Sequence, residues 1–513
     1  MRELTLIDNL YQLCAVGASA EAIALQSKNI KMSFSQLKSA IESVGGYFNE
    51  IGIGKGDRVV LVIENSIDYV VALYAIWKVG GIVVALNPQS KLHEIKDVIK
   101  QCSAKCLLIE KTNHEILDAL KNLNVILINL KGDSVDGIKC WNDALCCTNY
   151  VSNCNLNADD SAQIIYTSGT TGNPKGVLLS HANLMCNTED IIDYLQLTNK
   201  DSVLSVLPFH YSYGNSVLHT HIYVGAKIIM AGSMAFPQDI VNSLRELNVS
   251  GFCGVPSTYS LLLSHSDWAQ KKLPLRYITQ AGGPMNKVLT RKLLGSLNRN
   301  TQLFVMYGQT EATARISWLP PDSLEDKMGS VGIALKHVNI EIRNDQEESL
   351  RANQSGGVYV SGNSIMQGYW NNDIATRHTL YNGWLKTGDI GYIDSDGYLY
   401  LQGRRNDMIK VGSHRVNPLE LEEVINKLLF INESAVVGVE DEILGQALCV
   451  FVVGDESKKN IYSLKKHCRE YLPAHKIPRD IKWVNSLPKT ASGKIKRYQL
   501  MQTKEVLNDK HYL

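Results

Sequence analysis

The chain has 513 residues, which is more than one ordinary hydrophobic core accommodates, so two or more domains are expected. Apolar residues make up 45% and charged residues 20%, an ordinary globular composition, and the net charge of +1 favours neither nucleic acid nor an anionic membrane as partner. No window approaches about 18 uninterrupted apolar residues and no signal peptide is evident, so we expect a cytoplasmic protein without an integral membrane segment.

Helices and short apolar strands alternate through the N-terminal part of the chain. Apolar residues recur at steps of three and four between Phe34 and Phe48, which predicts an amphipathic helix. The next elements are predicted as a strand at 58–63, a helix at 66–79 and a strand at 82–86. Further strands are predicted at 202–207, 226–230, 251–255, 276–279 and 303–306, with a helix at 237–247. Short apolar strands separated by helices predict parallel sheets covered on both faces.

A run rich in glycine and hydroxyl residues occupies positions 166–177. Its glycines let the backbone turn tightly and aim N–H groups inward, while its hydroxyls and one lysine add donors, a chemistry that suits a polyphosphate. It is not a Walker loop, because a glycine instead of Ser or Thr follows the lysine. A flexible polar turn is the plain alternative. The residues are Thr167, Ser168, Gly169, Thr170, Thr171, Gly172, Lys175 and Gly176.

Two further motifs directly follow predicted strands, where ligands gather in open α/β sheets. The first is Met-Tyr-Gly-Gln-Thr-Glu-Ala at 306–312, and the second is Gln-Ala-Gly-Gly-Pro at 280–284. Small residues in the second motif would let a flat ring lie against the backbone. A polar loop and a simple Gly-Pro turn are the respective alternatives.

From residue 338 the pattern changes to closely spaced strands and turns, which predicts a β-rich subdomain ending near 403. An α+β tail follows, with a helix start at Asn417, strands at 434–439 and 447–453, and a helix near 461–471. Within the β-rich part, the carboxylate of Asp389 could accept both hydroxyls of a ribose, and the guanidinium of Arg404 could reinforce it or reach a phosphate. Alone, an Asp after Thr-Gly is commonly a turn residue.

Together these motifs resemble, in their order, those of the adenylate-forming enzymes, which include acyl-CoA synthetases, stand-alone adenylation domains and beetle luciferase. The resemblance extends from about Ser33 to Arg497, where the run 487–497 matches the motif of a catalytic lysine at Lys494. A point charge on a flexible stem can neutralise the charge that develops as a carboxylate attacks a phosphate. A solvated basic tail is the alternative for this run.

The resemblance implies a role for each matching residue. Tyr307 would stack on adenine, Thr310 would contact the α-phosphate, and Glu311 would hold Mg²⁺ with Thr167. Lys494, Glu311, Thr310 and Lys175 would be the catalytic set. The implied nucleotide-binding residues are Thr167, Ser168, Gly169, Thr170, Thr171, Gly172, Lys175, Ala281, Gly282, Gly283, Tyr307, Gly308, Gln309, Thr310, Asp389, Arg404 and Lys494.

The segment 207–214 resembles the one that lines the acyl pocket in this family, with Tyr211 at the position of a gate. No Asp or Glu lies between Leu207 and His221, and an unpaired ammonium in a pocket would cost several kcal/mol, so amino acid substrates are not expected. No catalytic base is needed, because a substrate carboxylate is already ionised at neutral pH. The implied pocket residues are His210, Tyr211, Tyr213, Gly214, Val255 and Pro256.

The resemblance implies an α/β fold with a large N-terminal domain (1–405) of parallel sheets flanked by helices plus the β-rich subdomain. A small, mobile α+β C-terminal lid domain (406–513) would pivot at Asn406, where relatives usually carry Asp or Lys. In the implied reaction, a carboxylic acid, fatty or otherwise lacking an amino group, reacts with MgATP to give an acyl-adenylate and pyrophosphate. The thiol of CoA then takes the acyl group as a thioester and AMP is released. The phosphopantetheine of an acyl-carrier protein is an alternative acceptor. A catalytically silent nucleotide-binding protein on the same fold is the rival from another class.

Overall fold

The computed structural model describes residues 4–15, 17–27, 30–110, 114–131, 137–149, 154–167, 174–230, 234–404, 407–411, 414–441, 444–455, 461–489 and 495–501. The helices are α1 (Leu6–Ala15), α2 (Gly17–Ala20), α3 (Phe34–Glu50), α4 (Ile67–Lys78), α5 (Leu92–Cys102), α6 (His114–Lys121), α7 (Trp141–Leu145), α8 (His181–Leu195), α9 (Ser212–Tyr223), α10 (Pro237–Glu246), α11 (Pro256–His265), α12 (Lys287–Ser296), α13 (Asp373–Thr379), α14 (Pro418–Ile425), α15 (Ile461–Tyr471) and α16 (Arg497–Met501).

The first sixteen strands are β1 (Ile23–Ser27), β2 (Ile30–Ser33), β3 (Arg58–Val62), β4 (Ile82–Ala85), β5 (Cys106–Ile109), β6 (Ile126–Asn129), β7 (Lys139–Cys140), β8 (Ser161–Thr167), β9 (Lys175–Ser180), β10 (Ser202–Leu204), β11 (Lys227–Met230), β12 (Gly251–Gly254), β13 (Tyr277–Gln280), β14 (Gln302–Tyr307), β15 (Ser317–Leu319) and β16 (Ile333–Ala334). The remaining strands are β17 (Val338–Arg343), β18 (Gly356–Gly362), β19 (Gly368–Tyr369), β20 (Leu380–Tyr381), β21 (Trp384–Ile393), β22 (Leu399–Arg404), β23 (Ile409–Val411), β24 (His414–Val416), β25 (Ile431–Asp441), β26 (Gly445–Gly454) and β27 (Asp480–Trp483).

Two sheets with parallel centres form the bulk of the chain. One has nine strands in the order β16-β15-β14-β13-β12-β10-β11-β1-β2, and the other has eight in the order β19-β9-β8-β4-β3-β5-β6-β7. Antiparallel pairing is confined to the ends of each sheet, at β2, β15 and β16 in the first and at β9 and β19 in the second. The predicted α/β class with parallel sheets flanked by helices is confirmed.

The helix α4 lies in the largest apolar core, together with side chains from both parallel sheets. Ten of its twelve residues are buried, and Ser66 caps its N-terminus by accepting a hydrogen bond from the backbone N–H of Tyr69. A helix that is apolar all round belongs inside a protein. The core also contains Val83 of β4 and Ile228 of β11, so α4 is one of the elements that hold the two sheets together.

Most predicted elements are confirmed within a residue or two, and the differences have local causes. The predicted strand 202–207 ends at Leu204, shortly before Pro208. The predicted strand 251–255 ends at Gly254, because Val255 is the N-cap of α11 and Pro256 is its first residue. Proline suits that position, since its missing N–H would have no helical partner there. The helix α11 itself was not predicted from the sequence.

Two smaller sheets follow in the chain. The antiparallel sheet β17-β18-β21-β20, with β22 against β21, is the predicted β-rich part, and the sheet β24-β23-β26-β25, with β27 against β26, belongs to the tail. Asn417 caps α14 as predicted. In the first turn of this helix, Glu420 accepts a hydrogen bond from Lys476 Nζ at each of its carboxylate oxygens, both at 2.6 Å. The domain boundary between 405 and 406 stays a prediction. No described helix combines the length and the apolar character needed to cross a bilayer.

The helix α9 carries two histidines into the core, where burial keeps them neutral. His221 lies between the Val217 carbonyl oxygen (2.8 Å from Nδ1) and the Tyr277 hydroxyl (2.7 Å from Nε2), and His219 Nδ1 is 3.2 Å from the Tyr74 hydroxyl. Burial lowers the pKa of His221 to about 4 and that of His219 to about 3. Both imidazoles therefore stay uncharged at neutral pH.

These depressed pKa values predict acid lability. An unfolded histidine has a pKa of about 6.5, so between that value and about 4 the unfolded chain binds more protons and stability falls as the pH falls. At pH 5, unfolding of the His221→Gln variant should take up about one proton fewer than unfolding of the wild type, as measured by pH-stat titration. Equal proton uptake by the wild type and His221→Gln would contradict this assignment.

Candidate active site

A buried carboxylate connects the end of β14 to the antiparallel sheet. The Tyr307 hydroxyl donates a hydrogen bond to Asp389 Oδ2 at 2.5 Å, and Arg404 Nε lies 3.2 Å from Asp389 Oδ1. Asp389 and Arg404 face each other in the β21–β22 register, so backbone pairing holds their side chains together. Asp389 is 8% exposed, whereas the Arg404 side chain is 42% exposed. A carboxylate fixed in this way has the chemistry needed for ribose hydroxyls.

A second cluster unites residues that are distant in the sequence. The Tyr369 hydroxyl donates to Glu311 Oε1 at 2.8 Å, and Lys175 Nζ lies 5.1 Å from the centroid of the Tyr369 ring. Lys175 in turn faces Thr167 across the β8–β9 pair, where the Thr167 hydroxyl donates to the Lys175 carbonyl at 3.4 Å. Carboxylate and hydroxyl oxygens are the ligands Mg²⁺ prefers, and a lysine serves phosphate, so this donor set fits MgATP.

The electrostatics connect the two clusters. Burial disfavours the charge of Arg404, but the carboxylates of Asp389, Glu311 and Asp407 outweigh this effect and raise the pKa of the guanidinium. Burial and the neighbouring Asp389 raise the pKa of Tyr307 well above its ordinary value, so its hydroxyl remains a donor. Burial and Glu311 likewise raise the pKa of Tyr369.

The turn after β14 requires a glycine. A Cβ on Gly308 would lie 2.0 Å from the carbonyl oxygen of Ala314, so only glycine allows the two backbone segments to approach. Thr313 adopts a φ of +63°, and its hydroxyl donates to the Ser364 carbonyl at 2.6 Å. The Thr310 hydroxyl lies 3.4 Å from the Ser212 hydroxyl at the start of α9. The nucleotide motif is thereby connected to the segment predicted to line the acyl pocket.

The predicted pocket residues lie around the start of α9 and α11. The His210 and Tyr211 rings are 4.2 Å apart, and the Tyr213 hydroxyl lies 2.7 Å from Thr279 Oγ1. A Cβ on Gly214 would lie 2.2 Å from the Pro208 carbonyl oxygen. Burial lowers the pKa of His210 to about 4, so it is neutral at pH 7 and forms part of an uncharged wall.

The predicted adenine edge borders the same region. Gly282 has a φ of +84°, and a Cβ there would lie 3.2 Å from Val255 Cγ1. A Cβ on Gly283 would lie 3.7 Å from two ring carbons of Pro256. The structure therefore places the 281–283 edge against the two N-terminal residues of the α11 segment.

Some predicted site residues fall outside the part of the chain that the structure describes. They are Ser168, Gly169, Thr170, Thr171 and Gly172 of the phosphate run, the hinge residue Asn406 and the catalytic lysine Lys494. Sequence reasoning in turn missed Tyr369 and Ser212. Nothing local marked Tyr369, since it lies 58 positions from Glu311 and meets it only because β19 pairs with β9. Ser212 lies within the segment 207–214, but the sequence predicted no function for it.

Comparisons with known proteins agree with this geometry. The family model described as AMP-binding enzyme matches residues 15–370, and that of the AMP-binding enzyme C-terminal domain matches residues 420–494. The chain belongs to the AMP-binding enzymes, the adenylate-forming family that its motifs resemble.

The similar proteins within this family are CoA ligases. A 2-succinylbenzoate–CoA ligase of Geobacillus sp. (strain WCH70) is 30% identical over 94% of both chains, and a long-chain-fatty-acid–CoA ligase of Yersinia pestis is 28% identical over 91% of this chain and 89% of its own. The o-succinylbenzoate CoA synthetase from Bacillus subtilis, solved with an acyl-adenylate intermediate, is 26% identical with a TM-score of 0.86 and covers 98% of this chain and 99% of its own. This chain is an AMP-forming acid–thiol ligase of the acyl-CoA synthetase type, as predicted.

The contact between Tyr369 and Glu311 predicts a defect in nucleotide use. Tyr369→Phe removes a hydrogen bond to a charged group, which contributes about 1.5–3 kcal/mol, so the KM for MgATP should rise roughly tenfold or more. Tyr359→Phe is the matched control, because Tyr359 is also buried and its ring also lies beneath a cation, 4.9 Å from the Arg343 guanidinium. Steady-state kinetics in MgATP should separate the two variants, and equal KM values would refute the role of Tyr369.

Proposed function

We propose that the protein activates an aryl carboxylic acid with MgATP and transfers its acyl group to CoA. The observation that carries this proposal is the ring-rich wall beside the nucleotide motif. His210 is neutral, its ring lies against Tyr211, and Tyr213 follows two residues later. The succinylbenzoate ligases among the relatives support an aryl acid. The fatty-acid ligase among them keeps a fatty acid as the second candidate.

Each residue of the site has a proposed task. Asp389 accepts the ribose hydroxyls while Arg404 fixes its orientation, and the backbone at 281–283 borders the adenine ring. Glu311, with Thr167, would hold Mg²⁺, which neutralises phosphate charge when bound. The structure of the B. subtilis synthetase with ATP and a magnesium ion supports Mg²⁺ as the cofactor. Lys175 and Thr310 contact phosphate oxygens. Preorganised donors of this kind need no reorganisation as charge develops.

The two-step reaction also needs a change of catalytic groups. We propose that residues 406–513 form a lid that brings Lys494 to the α-phosphate for adenylation. The lid then turns about Asn406 so that a thiol can reach the acyl carbon. Asn tolerates unusual backbone angles, which suits a pivot.

A substrate panel tests the acid. Wild-type protein with MgATP and CoA should release pyrophosphate fastest with an aryl or arylalkyl acid, more slowly with medium and long fatty acids, and not at all with free α-amino acids. The last result follows from the missing acidic partner for an ammonium group. The measurement is coupled pyrophosphate release at equal concentrations. A fatty acid at the head of the series would replace the aryl assignment, and exchange with an amino acid alone would overturn both.

The acceptor is tested in the same assay by following AMP and thioester formation. CoA should support turnover, whereas a phosphopantetheinylated acyl-carrier protein at the same concentration should not. Turnover with the carrier protein and none with CoA would identify the acyl-carrier protein as the acceptor.

The proposed lid predicts that Lys494 serves only one half-reaction. Lys494→Ala should slow acyl-adenylate formation by roughly 10²–10³-fold, the effect of losing one preorganised electrostatic donor. Supplied with synthetic acyl-adenylate, the same variant should form thioester at nearly the wild-type rate. Asp389→Asn is the comparison, because a residue that binds nucleotide throughout should impair both half-reactions. Equal damage to both steps by Lys494→Ala would contradict a lysine that leaves the site.

A further inference from the structure

Arg315 is a buried arginine just beyond the nucleotide motif. It is 3% exposed, the most buried arginine among the described residues. Its guanidinium carbon lies 4.0 Å from the centroid of the Tyr213 ring, its Nε is 3.4 Å from Met306 Sδ, and its Nη1 is 3.3 Å from the Ala314 carbonyl oxygen. Across the described ranges, no carboxylate forms an ion pair with it.

Other arginines stacked on aromatic rings also pair with a carboxylate, which Arg315 lacks among the described residues. Arg276 lies 4.7 Å from the Tyr277 ring, but its Nε also contacts Asp201 at 2.9 Å. Arg343 lies 4.4 Å from the Trp384 ring and pairs with Glu341 at 2.8 Å. Arg315 is more deeply buried than either of them, yet it has only weak neutral partners.

The energies do not balance without a further partner. An arginine cannot lose its proton inside a protein, so it cannot escape burial by becoming neutral. Burying its charge costs more free energy than a cation–π contact and a hydrogen bond to a neutral carbonyl together return. The contacts that Arg315 makes within the chain therefore leave a deficit that an anion could remove.

Two kinds of anion enter the reaction, the phosphates of ATP and the carboxylates of the acid, and the surroundings of Arg315 indicate which of them it faces. Arg404 lies in the nucleotide cluster, where its Nε is 3.2 Å from Asp389 Oδ1. Arg315 lies instead against the ring of Tyr213, 4.0 Å from its centroid. Tyr213 belongs to the predicted acyl pocket. Its partner Thr279 lies on β13, just before the 281–283 edge. The charge of Arg315 thus belongs to the acyl side of the site.

We propose that the acid substrate carries a second carboxylate and that Arg315 is the residue that pairs with it. The inference rests on the proposed function, because it concerns the acid of the same adenylation reaction. The first carboxylate is consumed in forming the acyl-adenylate, and the second remains ionised beside the guanidinium. A site with a buried charge rejects an analogue that leaves this charge unpaired.

The test compares matched acids. Each pair consists of an aryl monoacid and the same acid with a second carboxylate, for example 4-oxo-4-phenylbutanoate and 2-succinylbenzoate. Wild-type protein should prefer the diacid of at least one pair by on the order of 10²-fold in kcat/KM for pyrophosphate release. Arg315→Met, which keeps the volume but loses the charge, should reduce that preference by a similar factor. Arg315→Lys should retain part of the preference.

Arg276→Met is the matched control, because it removes another ring-stacked arginine away from the predicted site and should leave the diacid preference unchanged. Three results would overturn the inference. In the first, wild-type protein uses the two acids of every pair equally well. In the second, Arg315→Met raises the KM for ATP equally with all acids, which would assign the arginine to a phosphate of ATP. In the third, Arg315→Met slows the reaction of both acids of each pair by the same factor. The wild-type comparison decides the matter even if Arg315→Met does not fold. Failure of the proposed function looks different, since no acid of either kind would then release pyrophosphate.

Discussion

The contact of the Asp389 carboxylate with Tyr307 and Arg404 is the interaction on which the arrangement of the site depends. It joins the end of β14 in a parallel sheet to β21 and β22 in an antiparallel one. A buried carboxylate must be paired, because leaving it without partners would cost several kcal/mol. The pairing therefore fixes the distance between two separately built sheets. The proposed nucleotide-binding residues lie where the two sheets meet.

The pocket wall is connected to this framework through α9. Its first residue, Ser212, lies 3.4 Å from the Thr310 hydroxyl, while most of the helix is buried in the core. Its histidines are held neutral by burial, so the helix contributes packing and polar contacts without charge. A wall of this kind suits a reaction whose acid arrives already ionised and requires no base. It also leaves Arg315 as an isolated charge beside the pocket wall.

The residues proposed as metal and phosphate ligands come together through strand pairing at a sheet edge. β9 runs antiparallel to β8, and β19 runs antiparallel to β9, which brings Tyr369 beside Lys175 and Glu311. Each residue stands at the end of a strand or just after one, where the backbone is anchored but the side chain reaches outward. The rigid sheets thus position groups that come from three distant parts of the chain.

Local sequence signals were sufficient to predict most of the elements, and together with the family resemblance they predicted a chemistry for the site. The spacing of Phe34 to Phe48 predicted α3, the composition of 166–177 predicted a phosphate site, and the motif at 306–312 located Tyr307, Thr310 and Glu311 at a strand end. Such signals can be read without the fold, because helix and strand periods and turn residues depend on near neighbours. Three other features became visible only in the folded chain: Tyr369 bridges Lys175 and Glu311, Glu420 pairs with Lys476, and Arg315 is buried without a carboxylate among the described residues. These contacts join residues far apart in the chain or depend on the removal of water, and both are set by how the sheets and helices pack.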